Sequence, residues 1–281
     1  MKWTTKNLPQ RTNRFLRRKI WGLLRRLHPN LVMTFTVDPE HRLKIRYPLN
    51  TSVGCGLFQR CYEAAELNFL RRSLRPGNVV FDVGANAGIF TVIAARRVGA
   101  AGMVHAFEPG EAEQALLAEN IALNQLSNVK VFAGAVSNQT GSARLAVSRD
   151  GALNSLAHTE HPLQQIVEWR TVPTITLDAY AEQERASRVD FLKVDVEGAE
   201  KMVFEGATEL LKRNPGMVIL FEAVELNSKS FGYRARDLFD WLRQQGMTLS
   251  YLDETGAPIA FTAHDVRFGD QIYNFVARKS A

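Results

Sequence analysis

Asn78-Val-Val-Phe-Asp-Val-Gly-Ala-Asn-Ala-Gly-Ile-Phe-Thr-Val-Ile-Ala-Ala-Arg-Arg-Val98 decides the fold of this chain. Residues 79–83 have the length and apolar character of a buried strand, Gly84 and Gly88 bracket a turn, and the run behind them has helical length. A glycine-rich turn between a strand and a helix lets backbone amides approach a ligand at the helix N-terminus. The spacing is G-x-x-x-G and not G-x-G-x-x-G, so a pyrophosphate cradle is incomplete and a dinucleotide is disfavoured. A nucleoside with a polar amino-acid tail and no phosphate suits the turn better.

Outward from this unit the pattern repeats. Strand-like runs at 79–83, 103–108, 129–136, 190–195 and 217–222 alternate with helical stretches at about 87–98, 111–124, 176–184 and 198–212. A helix at 234–245 and strands at 247–252 and 271–278 follow. This alternation makes βαβ units and predicts a Rossmann-like, doubly wound α/β fold with a mostly parallel seven-stranded sheet. Residues 148–170 break the rhythm with a polar, loop-like composition that includes Asn154, Ser155, His158 and His161, and read as a lid-like insertion. The expected division is an N-terminal extension over 1–75 and the main domain over 76–281.

The 281 residues carry 35 Lys and Arg against 29 Asp and Glu, a formal +6, but the excess is concentrated. Residues 1–30 hold nine basic side chains, Lys2 and Lys6 among them, and no acidic one, leaving 26 basic against 29 acidic over 31–281. The body is thus mildly acidic, which argues against a broad nucleic-acid face on it. Within 13–28, Leu16, Ile20, Leu23, Leu24 and Leu27 recur at helical spacing among arginines, giving a basic amphipathic helix. Its apolar face either packs on the domain or, through residues 11–27, makes a peripheral contact with anionic lipid or an acidic partner. Short strands at 31–37 and 42–47, joined through Asp38-Pro-Glu40, and a helix at 62–74 stopped by Pro76-Gly77 complete a helical and hairpin extension.

With 46% hydrophobic and 23% charged residues and no apolar run long enough for a membrane span, the chain reads as soluble. No secretory signal is apparent. Cys55 and Cys61 form a C-x5-C pair without a zinc-like pattern and read as reduced thiols, so the expected location is the cytoplasm.

Ligands of open α/β sheets bind beyond the carboxyl ends of the strands, and three strands end there in acids, Asp82, Glu108 and Asp195. Glu108 lies 24 positions after Gly84, where a carboxylate can accept hydrogen bonds from both hydroxyls of a ribose. Lys193 is unusual inside an apolar strand, being either paired with a neighbouring acid or in contact with a ligand oxygen. Glu222 ends the next strand and can face the same cleft. With Asp195 it leaves divalent-metal assistance open, although no tight ligand motif is present and no metal ligand is assigned.

Pro76-Gly77, Val80-Phe-Asp-Val-Gly-Ala-Asn-Ala-Gly88, Val104-His-Ala-Phe-Glu-Pro109, Ala135-Val-Ser-Asn138 with Gly141, Thr176-Leu-Asp178 and above all Asp190-Phe-Leu-Lys-Val-Asp-Val-Glu-Gly-Ala-Glu200 resemble the FkbM family of methyltransferases. The resemblance covers about residues 62–225. It implies a class I methyltransferase fold, S-adenosylmethionine as cofactor, and O-methylation of a sugar or natural-product hydroxyl. Carried over by position, Asp82, Gly84, Asn86 and Gly88 surround the methionine part, Glu108 the ribose, and Ala135 and Val136 the adenine. A sulfonium is already a good leaving group, so the protein's tasks are alignment and removal of a proton from the hydroxyl. The candidates for these are Asp195, Glu197, Lys193 and, on the insertion, His158. The expected partner is a small-molecule or saccharide acceptor and not nucleic acid. Three other readings stand beside this one: a nucleotide or dinucleotide oxidoreductase on a similar sheet, a non-catalytic membrane- or partner-binding protein with a degenerate methyltransferase fold, and a nucleic-acid methyltransferase, favoured only by the basic N-terminus.

Overall fold

A computed structural model describes residues 10–159, 161–261 and 267–279, so that Lys2, Lys6 and Glu160 of the insertion lie outside the described residues. The extension comprises α1 (Gln10–Leu27), β1 (Val32–Asp38), β2 (Leu43–Pro48), α2 (Ser52–Gln59) and α3 (Ala64–Ser73). Next come β3 (Val79–Val83), α4 (Ile89–Val98), β4 (Met103–Phe107), α5 (Glu111–Leu123), β5 (Val129–Phe132) and β6 (Ala135–Val136). The insertion lies between β7 (Gly141–Ser148) and β8 (Ile166–Ile175), and α6 (Leu177–Gln183), β9 (Phe191–Val194), α7 (Glu200–Glu205) and α8 (Thr208–Arg213) follow. The chain closes with β10 (Val218–Glu222), α9 (Glu225–Lys229), α10 (Ala235–Gln244), β11 (Met247–Leu252), β12 (Pro258–Ala260) and β13 (Asn274–Lys279).

The main sheet has the order β12-β11-β13-β10-β9-β3-β4-β5. β5, β4, β3, β9 and β10 run parallel, while β13 is antiparallel to both β10 and β11. The seven expected strands are all present, and the three-residue β12 adds an eighth at the edge. Strand order reverses at β3, with β4 on one side and β9 on the other, so a crevice opens beyond their carboxyl ends. The pleat sends alternate residues to two cores. Phe81, Leu192, Ile219 and Phe221 pack with Phe204, Leu210 and Phe239 on one face. Val80, Phe191 and Leu220 pack with Val92 and Ile93 of α4 on the other, where Leu43, Ile45 and Leu70 of the extension join them.

Several boundaries differ from expectation, each for a local reason. The single strand foreseen over 129–136 is two, because the chain turns after Phe132 and Ala135–Val136 pairs instead with β8 in a separate three-stranded sheet, β6-β8-β7. The insertion is shorter than its polar composition suggests, since Ile166 onward is already strand, paired antiparallel with β7. The helix foreseen over 198–212 is broken into α7 and α8: the Asp178 carboxylate accepts the amides of Glu209 (3.0 Å) and Leu210 (2.7 Å) and so caps a new N-terminus. α1 forms as expected but packs by its other side. Arg17 donates to the Phe58 carbonyl at 2.9 Å and Trp21 to that of Leu49 at 2.8 Å, which leaves Leu16, Ile20, Leu23 and Leu27 exposed.

Candidate active site

The turn after β3 is built against its neighbours. Gly84 and Ala85 both donate to the Phe107 carbonyl at the end of β4, each at 3.0 Å. Gly84 has φ +79°, and a Cβ there would collide with the carbonyl oxygen of Asp195, so only glycine lets β3 and β9 end this close together. Asn86 also adopts a left-handed conformation, with φ +49°, which Asn tolerates. Its Oδ1 accepts from the Tyr47 hydroxyl (2.8 Å) and the Ala87 amide (2.7 Å), fixing its orientation.

Glu108 is buried at the end of β4 and accepts two backbone amides, Asn86 at 2.7 Å and Gly110 at 2.8 Å. Burial nevertheless pushes its carboxyl up to about 8. The two amides leave lone pairs on both oxygens for further donors such as a diol.

Asp82 and Lys193 are cross-strand partners in the β3–β9 register, and both lie on the α4 face. Asp82 accepts from the Thr91 hydroxyl at 2.6 Å, and its other oxygen stands 3.8 Å from the Lys193 ammonium. That ammonium bonds Asp195 at 3.1 Å and the Gly84 carbonyl at 3.1 Å, and sits 4.9 Å above the Phe90 ring. Burial works against its charge, but Asp195, Asp82 and Glu63 outweigh burial and raise its pKa, so Lys193 stays an ammonium.

The segment after β9 turns sharply, with Glu197 at φ +54° and Gly198 at φ +107°. Glu200 reaches back to accept the amides of Val196 and Gly198, both at 3.1 Å, and Tyr233 donates to the Gly198 carbonyl at 2.7 Å. These bonds hold Asp195 and Glu197 out toward the crevice. Glu197 accepts from Asn227 at 2.7 Å. Burial, with Asp195 and Glu200 nearby, raises its carboxyl well above the usual range, and burial beside Asp195 does the same to Glu222. Glu63, at the head of α3, is pushed up to about 8 by burial and by Asp195.

These groups line one cleft of about 1140 Å³, open mouth included. Gly84, Asn86, Glu108, Ala135, Val136, Lys193, Asp195 and Glu197 all line it. Three of the residues singled out from sequence do not. Asp82 points to the α4 face beneath Thr91, Gly88 is turned away as the N-cap of α4 against Leu117, and His158 is exposed on the insertion outside the cleft. The residues that the sequence did not offer are Glu63 and Tyr62 from the extension, and Ser52 and Val53 at the start of α2. No short motif marks them, because they reach the cleft only through tertiary packing.

The insertion closes one side. Ser155 donates to the Glu197 carbonyl at 2.8 Å, Asn154 to Glu113 at 3.0 Å, and the Ser52 amide to Asp150 at 2.7 Å. It is thus tied to the β9 turn, to α5 and to α2.

One carboxylate oxygen each from Asp195, Glu197 and Glu222 lies within 4.8 Å of the others, a grouping that can take a divalent cation. The donor set also suits an organic cation. A sulfonium beside four carboxylates, a diol at Glu108 and an apolar ring between Phe107 and Val136 match the groups present, so S-adenosylmethionine fits this cleft.

The methyltransferase FkbM domain model matches residues 82–249. The 31-O-demethyl-FK506 methyltransferase FkbM of Streptomyces tacrolimicus is 40% identical over 88 residues, 31% of this chain and 33% of that protein. Methyltransferase sdnD of Sordaria araneosa is 28% identical over 177 residues, 53% of this chain and 65% of that protein. The chain thus spans between a third and just under two thirds of these relatives' length. Among solved structures, the O-methyltransferase from Bacillus cereus in complex with SAH aligns over 98% of this chain and 92% of its own, at 14% identity and a TM-score of 0.46. The matched residues run from Asp82 through the glycine turn, Glu108 and the Lys193–Glu200 segment, and the chain belongs to the FkbM methyltransferase family.

Proposed function

We propose that this protein transfers a methyl group from S-adenosylmethionine to a hydroxyl oxygen of a sugar or natural product. The observation that carries this reading is the acidic wall of the cleft, where Glu63, Asp195, Glu197 and Glu222 surround the single ammonium of Lys193. Such a wall offers many hydrogen-bonding groups to a polyhydroxylated molecule. S-adenosylmethionine, when bound, supplies an electrophilic methyl on a good leaving group. What remains for the chain is to align the acceptor and to take its proton.

Glu197 is the proposed base. Asn227 holds one of its oxygens, and burial with Asp195 and Glu200 nearby raises its carboxyl well above the ordinary range, which makes it a stronger proton acceptor. Asp195, ion-paired to Lys193, holds the acceptor or the cofactor amine. Glu108 takes the ribose hydroxyls, and Ala135 and Val136 flank the adenine, with Gly84 and Asn86 beside the methionine part. Asp82 and Gly88 act from behind, through Lys193 and the start of α4. The insertion between β7 and β8 shields the reaction from water.

The test is transfer of a radiolabelled methyl group to a panel of sugars, glycolipid head groups, polyketide hydroxyls and RNA. Label entering the hydroxyl compounds supports the proposal, and label entering only RNA overturns it. Calorimetric titration with S-adenosylmethionine and NAD separates the oxidoreductase reading, which requires heat with NAD.

A further inference from the structure

α1 presents an exposed apolar stripe. Leu16, Ile20, Leu23 and Leu27 succeed one another at i, i+4, i+7 and i+11, and they are 45%, 42%, 58% and 62% exposed. Amphipathic helices of soluble domains turn such a stripe inward. Here the inward side is instead the adjacent edge carrying Arg17, Trp21 and Leu24, all half-buried, and the bonds of Arg17 and Trp21 to the carbonyls of Phe58 and Leu49 fix the rotation of the helix and leave Leu16, Ile20, Leu23 and Leu27 outward.

The surroundings of the stripe are cationic. Arg18, Lys19, Arg25 and Arg26 are exposed along α1, and no acidic residue precedes Asp38. Lys19 and Arg26 lie one position round from the stripe on the same flank. Lys19 lies over the ring of Phe15, 61% exposed, and Arg25 over that of Trp21, at 4.8 and 4.7 Å. Aliphatic side chains flanked by Lys19 and Arg26 and by the exposed Phe15 ring match the acyl and headgroup layers of an anionic bilayer. A second copy fits less well, because pairing two such stripes would set Lys19 and Arg26 against like charges. Nucleic acid fits less well too, since the centre of the contact would be four side chains with no hydrogen-bonding group.

From this we infer that α1 is a membrane-docking helix, which seats the protein on anionic lipid surfaces with Leu16, Ile20, Leu23 and Leu27 among the acyl chains. The inference is independent of the proposed methyl transfer. It concerns the whole molecule, since α1 is bonded to the end of α2, whose first residues, Ser52 and Val53, line the cleft.

The experiment is cosedimentation of the full chain with phosphatidylcholine vesicles with and without phosphatidylserine. The protein is expected to pellet with the anionic vesicles, to remain free of the neutral ones, and to be released by salt. Ile20→Glu with Leu23→Glu is expected to lower the partition coefficient at least tenfold, and Arg18→Glu with Lys19→Glu to remove the preference for phosphatidylserine. Unchanged S-adenosylmethionine affinity, measured by calorimetry, shows that the variants are folded. No binding to anionic vesicles overturns the inference. So does a dimer, detected by sedimentation velocity, that Leu23→Glu dissolves, or binding to duplex RNA in place of vesicles.

Discussion

Lys193 is the one ammonium that Asp82, Asp195 and the Gly84 carbonyl share, so its removal strands two acids. Lys193→Met is expected to destabilise the fold by about 3–5 kcal/mol, the cost of leaving buried partners uncompensated, in urea titrations at neutral pH. Glu197→Gln keeps the bond with Asn227 yet cannot take a proton. It is expected to lower kcat by about 10²–10⁴-fold. Because its folded pKa is raised, kcat/KM of the unaltered enzyme should climb as pH rises and level off once Glu197 is ionised. The variant should lose that climb, and a steep profile retained in it would assign the proton to another carboxylate. At this scale the sequence was legible where a residue ends a strand, as with Glu108 and Asp195. It was illegible where the strand's face matters. Residues 79–83 are apolar on either side of Asp82, so no alternation shows that Asp82 points under α4.

Among the elements, the insertion between β7 and β8 is tied to its neighbours by several bonds, and the Ser155 hydroxyl makes the bond that reaches the Glu197 carbonyl. Ser155→Ala is expected to raise KM for the acceptor several-fold, through a looser lid, with thermal stability changed by only about 1 kcal/mol. Steady-state kinetics at saturating cofactor measures the first quantity, and thermal melting the second. The parallel strands and their helices were readable because each is a contiguous apolar run. α2 was not, since Ser52-Val-Gly-Cys-Gly-Leu-Phe-Gln59 contains two glycines, which oppose a helix. It forms because Thr51 caps it, accepting the Gly54 amide at 3.0 Å, and because it packs against α1. The split between α7 and α8 was equally hidden, because the capping Asp178 lies some thirty residues upstream of its target amides.

For the molecule as a whole, the buried carboxyls set the pH response. Glu63 and Glu108 are raised to about 8 and Glu200 to about 7, so the folded state keeps protons that the unfolded chain releases near its ordinary carboxylate range. Stability is therefore expected to fall as pH rises from about 5 to about 8, and to level off above that. Melting temperatures across this range, in the absence of cofactor, check the sign. Glu108→Gln should flatten part of the slope. The general architecture followed from the alternation of strands and helices, and the concentration of charge in residues 1–30 was plain from composition. Which way α1 would face was not, because the bonds of Arg17 and Trp21 to distant carbonyls decide it.

The same carboxyls make the cleft a store of protons. With Glu63 and Glu108 protonated near neutrality and Glu197 and Glu222 also raised, the unliganded site holds its acid wall partly uncharged. A cation entering beside it favours ionisation, and protons leave to solvent as it binds. On the proposed methyl transfer, the neutral thioether left behind would no longer support those charges, so protons would return and the site's grip on its product would weaken. Calorimetric titration in two buffers of different ionisation enthalpy should therefore show net proton release on S-adenosylmethionine binding, and less on binding of S-adenosylhomocysteine. Equal proton counts for the two would mean that the wall does not sense the charge of its ligand.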